Sequence, residues 1–174
     1  MEIVVLFETG EGQTRKIAGF IADQARRMGH TVALVDTSDK MAELSFASTD
    51  KVILAAPVHE RRHPRTFEAA VSAARQDLAT RPTLMISVSL KAAFPEGLDD
   101  AQDYLTEMKM RTGFEPTQEA LVAGAVRTDS YDYFQRQIVR HVALDGHDVA
   151  LTDGEREFTD WDALAEIVAS FLDR

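Results

Sequence analysis

The sequence contains no cysteine, which removes disulfides, thiolate-bound zinc, iron–sulfur clusters and a thiol nucleophile at once. Positive charge is scarce. Against 29 aspartates and glutamates stand 19 lysines and arginines, a formal net charge of −10 over 174 residues. Such a surface repels phosphate backbones, so general nucleic-acid binding is not expected. No apolar run approaches the roughly 20 residues of a spanning helix. Met1-Glu2 leads straight into a strand pattern and lacks the basic and apolar order of a secretion signal. Repeats, low-complexity stretches and linker-like segments are missing too. What remains is an ordinary globular composition, 45% hydrophobic and 28% charged. A chain of this length buries enough surface to fold without staples. One domain over residues 1–174, in the cytoplasm, is the expectation.

Short apolar runs alternate with helical periods. Ile3, Val4, Val5, Leu6 and Phe7 form a continuous run, the mark of a strand buried on both faces of a parallel sheet. It ends at Thr9-Gly10-Glu11-Gly12. From Thr14 onward Ile17, Ile21, Ala25 and Met28 recur at helical spacing, and Gly29 stands where a helix-ending glycine belongs. Residues 31–35 and 51–56 read as the second and third strands. A helix begins near Pro64 and carries Phe67, Val71 and Ala74 on one side. Residues 83–90 make a fourth strand, followed by a loop at Pro95-Glu96-Gly97 and a helix over residues 98–112 that Gly113 ends. Residues 120–126 are a fifth apolar run, and Trp161, Leu164, Val168 and Phe171 mark a last amphipathic helix. This order predicts an α/β, doubly wound, five-stranded parallel sheet with helices on both faces. Residues 127–158, an insertion after the fifth strand, are too many for a plain loop and so carry function or structure of their own.

The first strand–helix junction, Thr9-Gly10-Glu11-Gly12-Gln13-Thr14, lies where open α/β sheets bind ligands. Two glycines allow close backbone approach, and a helix N-terminus offers N–H groups with a favourable dipole. The spacing leaves two readings open, a phosphate cradle or a tight turn with a threonine cap. It is neither a Walker loop nor the three-glycine dinucleotide fingerprint. Ser87 and Ser89 lack the nucleophile elbow of a hydrolase. His141 and His147 lack a third ligand at metal spacing, so no metal is expected.

The same six residues resemble the FMN phosphate loop of flavodoxins. Leu6-Phe7-Glu8-Thr9 followed by Gly12-Gln13-Thr14-Arg15-Lys16-Ile17-Ala18 is similar to the opening of the menaquinone-dependent protoporphyrinogen oxidases of bacteria, a flavodoxin-like family with a long insertion. Lys51-Val52-Ile53, Ser87-Val88-Ser89-Leu90, Ala123-Gly124-Ala125 and Phe158-Thr159-Asp160-Trp161 extend the likeness in order over nearly the whole chain. The resemblance implies strand order 2-1-3-4-5 and FMN as cofactor. It also implies an oxidoreductase that passes electrons from a porphyrinogen-like substrate to a quinone. Phosphate contacts then fall on Thr9, Gly10, Glu11, Gly12, Gln13 and Thr14. Ring contacts fall on Pro57, Val58 and His59 after the third strand, and on Ser89, Leu90 and Lys91 after the fourth. Where flavodoxins have threonine this chain has Glu11, which can contribute only its N–H. Glu60 stands in the place of a stacking aromatic, leaving His59 or His63 as flat partners or as solvated loop residues.

Arg61, Arg62, His63 and Arg65 form a basic cluster in an acidic protein. Arg61 and Arg62 would pair with substrate carboxylates, and a basic rim would favour an anionic reduced flavin. The alternative is an exposed basic helix start. In the insertion, Tyr131, Phe134, Ile138 and Val142 share one helical face, with Arg136 and Arg140 on another. Such a helix covers the flavin, with Tyr131 and Phe134 touching substrate, leans on a membrane surface, or packs on the sheet. Asp145, Asp148, Asp153, Glu155 and Glu157 oppose firm attachment to anionic lipid, leaving at most weak peripheral contact at the inner membrane. Two other functions stay open, a small electron carrier and an interaction protein without flavin, as does a homo-oligomer. No protein acid or base is assigned.

Overall fold

The computed structural model describes residues 1–127 and 155–174. Five strands form one sheet: β1 Glu2–Phe7, β2 Thr31–Asp36, β3 Lys51–Pro57, β4 Thr83–Ser89 and β5 Gln118–Ala123. Their order is β2-β1-β3-β4-β5, and every pair is parallel. Among the described residues four helices cover it: α1 Gln13–Arg27, α2 Arg65–Leu78, α3 Leu98–Thr112 and α4 Trp161–Asp173. Apolar side chains alternate along each inner strand. Val5, Phe7, Ile53 and Ile86 face Ile17 and Ile21 of α1 and Val168 and Phe171 of α4. Leu6, Leu54 and Met85 face Phe67 and Val71 of α2 and Leu105 and Met108 of α3. Burial on both faces is why β1, β3 and β4 read as unbroken hydrophobic runs. The chain leaves β1 toward β2 on one side and returns past it to β3 on the other. That reversal opens a crevice at the carboxyl ends of β1 and β3.

The fifth apolar run is not one strand. It breaks at Gly124, whose N–H donates to the Ser89 carbonyl (3.1 Å) and whose carbonyl accepts the Phe158 N–H (3.0 Å). A Cβ there would stand 3.2 Å from Val88 Cγ1, so glycine lets the backbone pass close to β4. Beyond it β6, Ala125–Arg127, leaves the main sheet and pairs antiparallel with β7, Glu155–Glu157. Val126 of this ribbon is buried against Leu90, Phe94 and Phe158. The ribbon brackets residues 128–154. The expectations for Tyr131, Phe134, Ile138 and Val142, and for Arg136 and Arg140, therefore lie outside the described residues.

Candidate functional site

Loops after β1, β3 and β4 and the Gly124 break enclose a cavity of about 740 Å³. That is the size of a small-molecule or cofactor site. One end of the cavity is built by the start of α1. Gly12 caps the helix at φ 102°, a conformation that glycine adopts without strain. The Gly12 N–H donates to Thr9 Oγ1 at 2.9 Å, which folds the loop over the helix start. Thr14 is 2% exposed and lines the cavity. The first turn of any α-helix presents N–H groups without intrahelical acceptors, and α1 aims that turn at the cavity. The donors are neutral. The ammonium of Lys16, in the first turns of α1, pairs with Glu157 at 2.6 Å. Such a set fits a phosphate monoester, because oriented N–H and hydroxyl donors complement its oxygens.

The β3–α2 loop forms the second wall. His59 and Arg62 exchange backbone bonds of 2.9 and 3.1 Å around Glu60 (φ 50°) and Arg61 (φ 67°). This is type I′ hairpin geometry, which usually selects Asn-Gly. Two ordinary residues in the left-handed region cost roughly 1–2 kcal/mol each. An ion pair restrains the turn: Arg62 Nη2 meets Glu68 Oε2 at 2.8 Å, and Glu68 accepts Arg111 as well, at 2.7 Å. The Arg62 guanidinium is thus paired with the buried Glu68 carboxylate, while Arg61 and Arg65 have no ion pair among the described residues. Arg61 lies 5.9 Å over the ring of Tyr104, a cation–π contact on the cavity wall.

His63, expected as a flat partner or a solvated residue, lines the cavity and is not solvated. It is 1% exposed and its Nε2 meets Ser87 Oγ at 2.9 Å. Burial lowers its pKa to about 4; Glu68 opposes that shift and Arg111 adds to it. The ring is neutral at physiological pH, so the basic cluster shrinks from four groups to Arg61 and Arg65. Glu8, buried at the end of β1, also borders the cavity and accepts Thr37 Oγ1 (2.8 Å) and Thr66 Oγ1 (2.5 Å).

The β4–α3 loop completes the site. Val58 N–H reaches the Val88 carbonyl at 2.7 Å, which ties this loop to the previous one. Ser89 Oγ accepts the Ala92 N–H at 3.2 Å, and Lys91 pairs with Asp100 at 3.2 Å. Gly97 lies so close under Lys91 that an added Cβ would stand 2.3 Å from its carbonyl oxygen. Thr9, Gly10, Glu11, Gln13, Thr14, Pro57, Val58, His59, Ser89, Leu90 and Lys91 all line the cavity, as do Arg61 and Arg62. Gly12 caps α1 without lining the cavity, and Tyr131 and Phe134 lie outside the described residues. The sequence reading missed Tyr104 and Glu8. Tyr104 has the helical spacing of Ala101, Leu105 and Met108, which marks it as core. Glu8 follows a buried strand and carries no motif.

A family model described as a flavodoxin domain matches residues 4–149. The protoporphyrinogen IX dehydrogenase [quinone] of Escherichia coli strain K12 is 26% identical over 95% of this chain and 91% of its own. Among solved structures, oxidised flavodoxin 2 of Bacillus cereus superposes with a TM-score of 0.60 at 15% identity, covering 99% of each chain. A Fusobacterium nucleatum flavodoxin bound to flavin mononucleotide gives 0.52 at 12% identity, covering 99% of this chain and 95% of that one. With the strand order and the family match in agreement, this chain belongs to the flavodoxin domain family.

Proposed function

We propose that the protein is an FMN-dependent oxidoreductase that withdraws electrons from a porphyrinogen-like substrate and delivers them to a quinone. The observation that carries this reading is one continuous cavity with unlike ends. A neutral-donor cradle at the start of α1 opens into it, and Arg61 and Arg65 stand on another wall without ion-pair partners among the described residues. FMN, the cofactor of the Fusobacterium flavodoxin, supplies the redox chemistry when bound. The chain supplies binding and orientation. Thr9 and Thr14 with the first turn of α1 receive the phosphate, and the loops at Pro57–His59 and Ser89–Lys91 hold the ring. Arg61 and Arg65 attract substrate carboxylates, and Arg62 keeps the turn that carries Arg61 in place through Glu68. The dehydrogenase name of the Escherichia coli relative supports the substrate and the acceptor. Tyr131 and Phe134 belong to this reading as apolar substrate contacts, because their segment departs and returns at the ribbon whose Ala125 borders the cavity.

The test is anaerobic turnover of FMN-loaded protein with a porphyrinogen, read as porphyrin fluorescence. Porphyrin should form only with both FMN and a quinone present. Arg61→Glu with Arg65→Glu should slow it while sparing reduction by a small neutral donor. Flavin that accepts electrons from the small donor but never from the porphyrinogen would identify an electron carrier instead.

A further inference from the structure

Two residues of the first turns of α1 are tied to the far end of the chain. Gln13, 6% exposed, donates its side-chain amide to Thr159 Oγ1 (2.9 Å) and Glu157 Oε2 (3.2 Å). Thr159 donates in turn to the Ala123 carbonyl at the end of β5 (2.6 Å). Glu157 also accepts Lys16 Nζ on Oε2 (2.6 Å) and Trp161 Nε1 on Oε1 (2.7 Å). The Lys16 ammonium lies 5.3 Å from the centre of the Trp161 ring, which packs on Phe20 at 5.0 Å. One carboxylate therefore gathers donors from the start of α1 and the start of α4. Burial works to raise its pKa, but the donors from Lys16, Trp161 and Gln13 outweigh it and hold Glu157 below the usual carboxylate range.

We infer that Glu157 is a positioning residue for the phosphate end of the cavity. Acting through Gln13 and Lys16, it holds the first turn of α1 in the orientation that receives a phosphate. Hydrogen bonds to a charged acceptor are the stronger ones, and three donors from two helices fix a direction that a single bond would not. Its pairing with Lys16 also keeps that ammonium at β7, leaving the cradle to neutral donors. Coupling of this kind is reciprocal: if the network favours the phosphate-ready turn, a bound phosphate must tighten the network and change the surroundings of Trp161. The inference rests on the FMN reading above.

The sequence holds a single tryptophan, so the ¹⁵N-labelled protein shows one indole N–H resonance, belonging to Trp161. Titration with FMN should shift it, and riboflavin, which lacks the phosphate, should leave it in place. Glu157→Ala and Gln13→Ala should each weaken FMN three- to tenfold without changing riboflavin affinity, and the double variant should bind FMN no worse than the weaker single one. The inference fails if riboflavin moves the resonance as far as FMN does. It fails also if Glu157→Ala weakens both flavins equally, the sign of a merely structural role, or if the two losses multiply. A protein that binds neither flavin defeats the FMN reading and this inference with it.

Discussion

Thr14 is buried on the cavity wall at the start of α1, and its hydroxyl is one of the two side-chain donors that the phosphate reading uses. Thr14→Ala should weaken FMN ten- to a hundredfold against riboflavin, the roughly 1.5–3 kcal/mol of one hydrogen bond to a charged group. Paired titrations of the two flavins measure it. His63 makes a prediction about stability. Its pKa is about 4 in the fold against an ordinary 6.5, so between those values the unfolded chain takes up a proton that the folded one refuses. Stability from this group is complete above pH 6.5 and falls as pH drops toward 4, by on the order of 3 kcal/mol. Glu68 is held below the ordinary carboxylate value: burial works to raise it, but hydrogen bonds from Arg111 and Arg62 outweigh that, so its stabilisation is present above that ordinary value and is lost as pH falls through the lowered one. Urea unfolding at pH 7 and 5.5 should show the loss in the parent and a much smaller one in His63→Gln. Equal slopes would contradict the buried neutral ring. Some of this was legible in the residues and some was not. The glycine and threonine spacing at Thr9–Thr14 points to a cradle because such loops use local backbone chemistry. The fate of Arg62 depends on Glu68 in the first turn of α2, which meets it only because the chain folds back at Glu60 and Arg61, and no local pattern carries that.

Elements differ in how openly they announce themselves. β1, β3 and β4 do so because burial on both faces demands apolar residues throughout. The β3–α2 turn does not, because its type I′ geometry is built from Glu60 and Arg61 where the usual signal is Asn-Gly. The split at Gly124 hides inside an apolar run, since only contacts with Ser89 and Phe158 break it. Two variants probe these elements. Arg61→Gly removes the strain at φ 67° and should raise Tm by about 2–4 °C, close to 1 kcal/mol for a domain of this size. Arg61→Ala, which keeps the strain, should not raise it; both should raise KM for a carboxylated substrate. In the β4–α3 loop, Gly97→Ala drives a Cβ into the Lys91 carbonyl and should cost about 1–3 kcal/mol. Displacing that loop should weaken riboflavin and FMN by the same factor, unlike Thr14→Ala. Melting curves and flavin titrations on the same samples separate the cases.

At the scale of the molecule, a net charge of −10 surrounds a cavity whose walls carry two arginines outside any ion pair among the described residues. Arg61 and Arg65 are therefore local positive features in a negative field, and salt must screen their pull on a carboxylated substrate. Its KM should rise between 0.01 and about 0.15 M salt, over which the screening length shrinks from roughly 30 to 8 Å, while KM for a neutral donor stays constant. Among the described residues no helix is long and apolar enough to cross a membrane. The central claim is that this flavodoxin-family cavity holds a flavin by its phosphate. The most direct measurement is fluorescence titration of the purified protein, freed of bound flavin, with FMN and with riboflavin under identical conditions. The account predicts that FMN binds at least tenfold more tightly than riboflavin; equal affinities, or no binding of either, would contradict it.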